Sequence, residues 1–94
     1  MYGIIYLLTN TRTNMRYIGQ TILGLTTRWN GHVAEANAGE TTQIANAIRT
    51  YGAQAFTRQV LKTGVPVSDL NTVERNYINH YGTLYPFGYN ERLP

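Results

Sequence analysis

The 94-residue sequence has no cysteine, one lysine, two histidines and five acidic residues, and each scarcity removes a class of explanation. Without cysteine there is neither a disulfide nor a thiolate zinc site, and a reducing interior is permitted. The acids are Glu35, Glu40, Asp69, Glu74 and Glu91, with no D-x-D or paired-acid motif among them. A two-metal phosphodiesterase needs several converging carboxylates, so that architecture is disfavoured. His32 and His80 alone offer nitrogen ligands, too few for a zinc centre of the usual kind. No apolar run approaches the roughly 18 residues of a membrane span, and the N-terminus has no signal-peptide pattern. The expectation is therefore an intracellular protein with no membrane partner. The glycines at 19, 24 and 31 do not form a dinucleotide fingerprint, and neither Walker spacing nor a local Ser-His-Asp signature is present.

What remains is enough for one folded unit. Hydrophobic residues make up 43% of the chain, which suits a single globular domain over residues 1–94 with one small core. The net charge of +3 is mild, but its make-up is uneven: seven of the eight basic residues are Arg, and only Lys62 is Lys. The guanidinium group is a planar donor fork suited to phosphate, whereas an ammonium is a hydrated point charge. Eight tyrosines accompany these arginines. The combination fits a nucleic-acid partner, although tyrosine-rich cores also occur without one.

Patterning along the chain gives the order β-β-α-α-β-α. Two short strands, Gly3-Ile4-Ile5-Tyr6 and Tyr17-Ile18-Gly19, flank a polar hairpin loop from Thr9 to Arg16. Ile4 and Tyr6 alternate to one face of the first strand and Ile5 and Leu7 to the other, and the hairpin sets Tyr6 and Tyr17 on neighbouring strands. A helix capped by Thr26 or Thr27 runs to about Ala38, with Leu25, Trp29, Val33 and Ala36 on one face. Arg28, His32 and Glu35 form the adjoining stripe, His32 nearest the apolar edge, and Gly39 ends the helix. A second helix spans about Thr42 to Tyr51, with Ile44, Ala47, Ile48 and Tyr51 on one face, and Gly52 is its stop signal. A third strand covers Phe56 to Leu61, Gly64-Val65-Pro66 forms a loop, and a last helix starts at Ser68 or Asp69 and closes at Gly82. The tail from Leu84 to Pro94 is expected to be mostly irregular. This order implies a small antiparallel sheet with helices packed against it.

Glu74 is the most informative single residue. On the last helix Leu70, Val73, Tyr77 and Tyr81 define an apolar face, and Glu74 lies only about 40° from Leu70 on the same wheel. An ionised carboxylate there needs a cation, a metal or hydrogen-bond donors, and a salt bridge to Arg or a tilt toward water would also satisfy it. If the chain is a phosphodiesterase, one Mg²⁺ on Glu74 completed by water and phosphate oxygens is the economical arrangement. Tyr6 and Tyr17 can be ordinary strand aromatics; a role as base requires a lowered pKa, because a phenol near pKa 10 is a poor base at neutral pH. Arg28 can be a solvated helix residue, His32 a satisfied histidine at the core edge, and Asn90 a turn residue.

Taken in order, these residues resemble the GIY-YIG nuclease superfamily, most closely the catalytic domain of phage-type GIY-YIG homing endonucleases. The landmarks are Gly3-Ile4-Ile5-Tyr6, Tyr17-Ile18-Gly19, Arg28-Trp29-x-x-His32, Ala47-Ile48-Arg49-x-Tyr51-Gly52 with Phe56, Glu74, and Gly88-Tyr89-Asn90. The first motif departs slightly, since Gly3 stands three residues before Tyr6 where the family name implies two. The resemblance implies an α+β fold with a three-stranded antiparallel sheet flanked by helices. It also implies hydrolysis of double-stranded DNA with one divalent metal, Mg²⁺ or Mn²⁺. By motif position Glu74 would bind the metal, Tyr6 would be the general base, and Arg28 would steady the phosphorane charge. Tyr17 would orient water or phosphate, His32 would assist Tyr6 in proton traffic, and Asn90 would hold the site together.

Such a domain is expected to work with a tethered DNA-binding region or as a homodimer, in the cytoplasm or in the cytoplasm of a phage-infected host. Two other readings share the fold: a catalytically silent nucleic-acid-binding module, and an RNA-processing nuclease.

Overall fold

The first strand becomes the middle of the molecule. In the computed structural model, which describes residues 1–94, strand β1 (Tyr2–Asn10) pairs antiparallel with β2 (Arg16–Thr21) on one side and with β3 (Phe56–Pro66) on the other, giving the order β2-β1-β3. Alternation along β1 sends Ile5 and Leu7 to one face and Tyr6 and Leu8 to the other, and all four are buried. A central strand covered on both faces needs apolar residues at successive positions, and this one has them.

Each face has its own helical cover. Helices α1 (Leu25–Asn37) and α2 (Gln43–Tyr51) enclose Tyr6, Leu8, Trp29, Ile48, Phe56 and Tyr89 on one side. Helix α3 (Leu70–Tyr81) closes the other over Ile5, Leu7, Ile18, Val65 and Ile78. Full burial of an Ile or Leu is worth about 1.5–3 kcal/mol, so the two clusters hold three layers together. The expected α+β class, three-stranded antiparallel sheet and element order are all present.

Several boundaries differ from the expectations, each for a physical reason. The strands are longer, and the hairpin loop shrinks to Thr11–Met15. Gly64-Val65-Pro66 is strand rather than loop: Val65 pairs with Gly3 and Pro66 with Tyr2, and Val65 is buried under α3. Register irregularities near Ile5 bend β3, which obscures its alternation in sequence. Helix α1 is capped by Gly24 with no side-chain cap bond, so neither Thr26 nor Thr27 caps it. Its buried residues are Trp29, His32 and Ala36, while Leu25 and Val33 are only half-buried. Tyr51, on the same face as Ile44, Ala47 and Ile48 by sequence, is exposed at the end of α2 while those three are buried. On α3 the buried stripe is Leu70, Glu74 and Ile78, with Val73, Tyr77 and Tyr81 half-buried beside it.

The tail lacks a helix or a full strand, as expected, yet it is tightly anchored. Tyr89 N–H donates to the Arg16 carbonyl at 2.9 Å, and Leu84 and Asn90 form an isolated parallel bridge. Asn90 then acts as a substitute peptide on the open edge of β2. Its Oδ1 accepts from Ile18 N–H at 2.9 Å and its Nδ2 donates to the Ile18 carbonyl at 2.8 Å. Thr83 Oγ1 adds a third bond to Asn90 Oδ1 at 2.7 Å. A sheet edge that would otherwise be open is thereby paired up to Ile18. No helix is long and apolar enough to cross a membrane.

Candidate active site

The candidate site forms where the edge strand β2 meets α1, α3 and the tail. Residues 6 and 17 fall on the same sheet face because Tyr6 pairs with Gly19 and Leu8 with Tyr17 in the β1–β2 register. Their rings lie 6.4 Å apart between centroids, and His32 from α1 meets both, at 6.0 Å from Tyr6 and 5.4 Å from Tyr17. Gly19 makes this possible. A Cβ at Gly19 would overlap the Tyr6 phenol, so only glycine lets that ring lie across β2.

His32 is only 2% exposed, and its Nε2 lies 2.7 Å from Tyr6 Oη. Its pKa is lowered to about 4, first by burial and then by the Arg28 charge, so the imidazole is neutral at neutral pH. The Tyr6 phenol is pushed well above its usual range, chiefly by burial and secondly by Tyr17, outweighing the lowering effect of Arg28. Burial and then the Glu74 charge push Tyr17 up to about 12. Both tyrosines are therefore neutral phenols, against the lowered pKa that a preformed base requires. The reason is location: Arg28 does act to lower the Tyr6 pKa, but the fold buries Tyr6 almost completely and burial outweighs it.

Arg28 is half-buried and donates from Nη1 to Glu35 Oε2 at 3.0 Å. Burial works against its charge, but the hydrogen bond to Glu35 and the field of its neighbours outweigh this and raise its pKa. Glu35 also approaches His32, with Oε1 4.0 Å from Nδ1. Glu74 reaches the same cleft from α3, beyond the β2 edge. It is 9% exposed and makes no ion pair; burial raises its pKa, while the neighbouring Gln20 amide, whose Nε2 donates to Asn71 Oδ1 at 2.8 Å, works to lower it. A cleft of about 270 Å³ gathers Tyr17, Arg28, His32, Glu35, Glu74 and Asn90 on its walls, and the Tyr6 hydroxyl meets two of these residues, His32 Nε2 at 2.7 Å and the field of Arg28.

The sequence matches a known family over nearly its whole length. Residues 2–90 match the GIY-YIG catalytic domain. The chain belongs to the GIY-YIG nuclease superfamily. Its fold superimposes on two structures of the catalytic domain of the homing endonuclease I-TevI, both at 22% identity. A glutamate-to-alanine mutant of that intron endonuclease gives a TM-score of 0.85 over 100% of this chain and 97% of that one. The other gives 0.80 over 96% and 98%. A viral protein, the putative MSV199 domain-containing protein 146R of Invertebrate iridescent virus 6, is 32% identical over 84 residues. The match takes in 87% of this chain, which spans about a third (34%) of that relative's length.

Five of the six GIY-YIG site positions read from sequence, residues 17, 28, 32, 74 and 90, line this one cleft, and Tyr6 joins through His32. Asn90 faces the cleft, but its amide is occupied with the backbone of β2 and with Thr83. Three participants are not in that set. Glu35 was legible as the third member of the Arg28–His32 stripe. Gln20 alternates with Ile18 on β2 toward α3, a signal visible only once the strand extends past Gly19. Tyr89 carries its hydroxyl to Asn10 Nδ2 at 3.0 Å, a bond across 79 residues that no local pattern announces.

No group of three or more His, Cys, Asp or Glu side chains is placed to cage a metal ion. The donor set fits a cation of another kind. Glu74 is a buried carboxylate without a cationic partner, facing an open cleft, and Mg²⁺ commonly binds through one or two carboxylates while water and substrate phosphate fill the rest.

Proposed function

We propose that this GIY-YIG domain is a one-metal DNA endonuclease that hydrolyses a phosphodiester bond in duplex DNA. The observation that carries the proposal is the convergence of a buried Tyr–His pair, a guanidinium and one unpaired carboxylate on a single open cleft. Each supplies one element that phosphoryl transfer requires: a proton acceptor, positive charge for the developing phosphorane, and an anchor for a cation.

Glu74 would hold Mg²⁺ or Mn²⁺, which supplies electrophilic help to the phosphate when bound. The chain's own residues do the rest. Arg28 keeps Nη1 on Glu35 and offers its remaining N–H donors to the phosphate oxygens. Tyr17 orients the attacking water or the phosphate. As the water oxygen bonds to phosphorus and the bond to the 3′ oxygen breaks, the water gives a proton to Tyr6 Oη, and the Tyr6 phenolic proton passes to His32 Nε2 at 2.7 Å. The departing oxygen takes its proton from solvent. Tyr6 thus acts as a neutral relay, and the group with proton-accepting capacity at neutral pH is the buried, neutral imidazole.

A net charge of +3 offers few phosphate contacts. Most of the DNA affinity is therefore assigned to a tethered DNA-binding region, with this domain as the cutting module. Parallel assays on duplex DNA and on RNA, with Mg²⁺, Mn²⁺ or EDTA, test the proposal. Metal-dependent DNA cleavage is expected; cleavage of RNA alone, or activity undiminished in EDTA, would contradict it.

A further inference from the structure

His32 carries one proton on its neutral ring, and the chemistry of the site depends on which nitrogen holds it. Tyr6 Oη lies against Nε2. With the proton on Nε2, the imidazole would donate to the phenol and have no lone pair there to take a proton. The other ring nitrogen, Nδ1, faces Glu35 Oε1 at 4.0 Å, one turn along α1. A carboxylate on that side attracts an N–H and repels a lone pair. Glu35 is itself held in place by the Arg28 guanidinium at 3.0 Å.

We propose that Glu35 is a positioning residue, whose carboxylate fixes His32 in the Nδ1–H tautomer and so leaves Nε2 free to accept the phenolic proton of Tyr6. The inference rests on the endonuclease reading for its purpose, but its structural content does not. At 4.0 Å the contact is longer than a hydrogen bond, so it acts through charge or through a bridging water. The logic is that of an acid orienting a histidine toward a hydroxyl: the acid selects tautomer and orientation and does not take the proton.

Charge supports the assignment. A solvent-facing Arg–Glu pair contributes little to stability. Glu35 is 46% exposed at the mouth of a cleft proposed to receive phosphates, where a negative charge opposes binding. As a purely structural residue it would cost affinity and return almost nothing. As an orienter of His32 it trades some affinity for turnover.

The direct test is a long-range ¹H–¹⁵N correlation spectrum of the ¹⁵N-labelled chain, in which His32 and His80 are the only imidazoles. His32 is expected as Nδ1–H in the wild-type chain, and Glu35→Ala is expected to move it toward Nε2–H while the exposed His80 stays unchanged. In cleavage assays with Mg²⁺, Glu35→Ala should lower kcat on the order of 10- to 100-fold, with KM unchanged or lower. Glu35→Gln, which keeps an acceptor oxygen but loses the charge, should fall between Glu35→Ala and the wild-type chain in both tautomer and rate. An Nε2–H His32 in the wild-type chain, or an unchanged tautomer in Glu35→Ala, would overturn the inference. A shifted tautomer with undiminished kcat would overturn the role of Glu35 in the reaction. If the wild-type chain cuts nothing yet shows the expected tautomer shift, the endonuclease reading fails and the orienting role of Glu35 stands.

Discussion

The Tyr6 ring lies directly across Gly19 on the neighbouring strand. A Cβ at Gly19 would meet the phenol itself, and Cε1 of the same ring at 2.8 Å. The glycine is thus a seat for the tyrosine rather than a turn residue. Gly19→Ala should push Tyr6 off His32 Nε2, costing about 1–3 kcal/mol from overpacking and most of the cleavage activity. Urea unfolding together with a cleavage assay checks this, and a variant with wild-type stability and rate would refute the seat.

Glu74 bears on both stability and metal. Burial raises its pKa, so the native state holds that proton more tightly than the unfolded chain does. A carboxyl raised in the folded state lowers stability as pH climbs through its window, and at pH 7 the ionised Glu74 is a cost. Glu74→Gln should therefore raise Tm at pH 7 while removing cleavage. Millimolar Mg²⁺ or Mn²⁺ should raise the Tm of the wild-type chain and leave that of Glu74→Gln unmoved. Equal metal-induced shifts in both would show that the cation binds elsewhere.

His32 predicts a pH dependence of opposite sign. Its pKa falls from 6.5 in the unfolded chain to about 4 in the fold. Between those values the unfolded state binds the extra proton, so this contribution to stability is complete above pH 6.5 and is lost as pH falls toward 4. The loss amounts to about 3 kcal/mol. Chemical denaturation at pH 7 and pH 4 should reveal this loss as the difference between wild type and His32→Gln. Parallel pH profiles for the two proteins would contradict the buried neutral imidazole.

Duplex DNA should bind residues 1–94 only on the order of micromolar or weaker at physiological salt, with affinity falling steeply as salt rises. A salt-titrated binding assay on random and site-selected duplexes measures it. Nanomolar, sequence-selective binding by the chain alone would remove the need for a tethered DNA-binding region.

Much of this was legible in the sequence because it rested on local periodicity. The two tyrosine strands, the Arg28–His32 stripe and the misplaced Glu74 all follow from which residues share a face. Misreadings came where tertiary packing overrode local pattern. Gly64-Val65-Pro66 looks like a turn, yet pairing with Tyr2 and Gly3 on β1 keeps it in strand. Thr26 and Thr27 look like caps, yet the chain enters α1 through Gly24 at a positive φ of 87°. The tyrosine pKa values depend on how deep the rings lie, which no spacing reveals. Asn90 pairs with a backbone 72 residues away, a contact that exists only in the fold.

The most direct measurement of the whole account is the single-turnover cleavage rate of Tyr6→Phe on duplex DNA with Mg²⁺, set beside its DNA affinity and its unfolding curve. The phenylalanine keeps the ring over Gly19 and removes only the hydroxyl that faces His32 Nε2. The account predicts a rate about 10²-fold lower or more, with affinity and fold unchanged. A Tyr6→Phe variant that cuts as fast as the wild-type chain, with the same pH dependence, would contradict it.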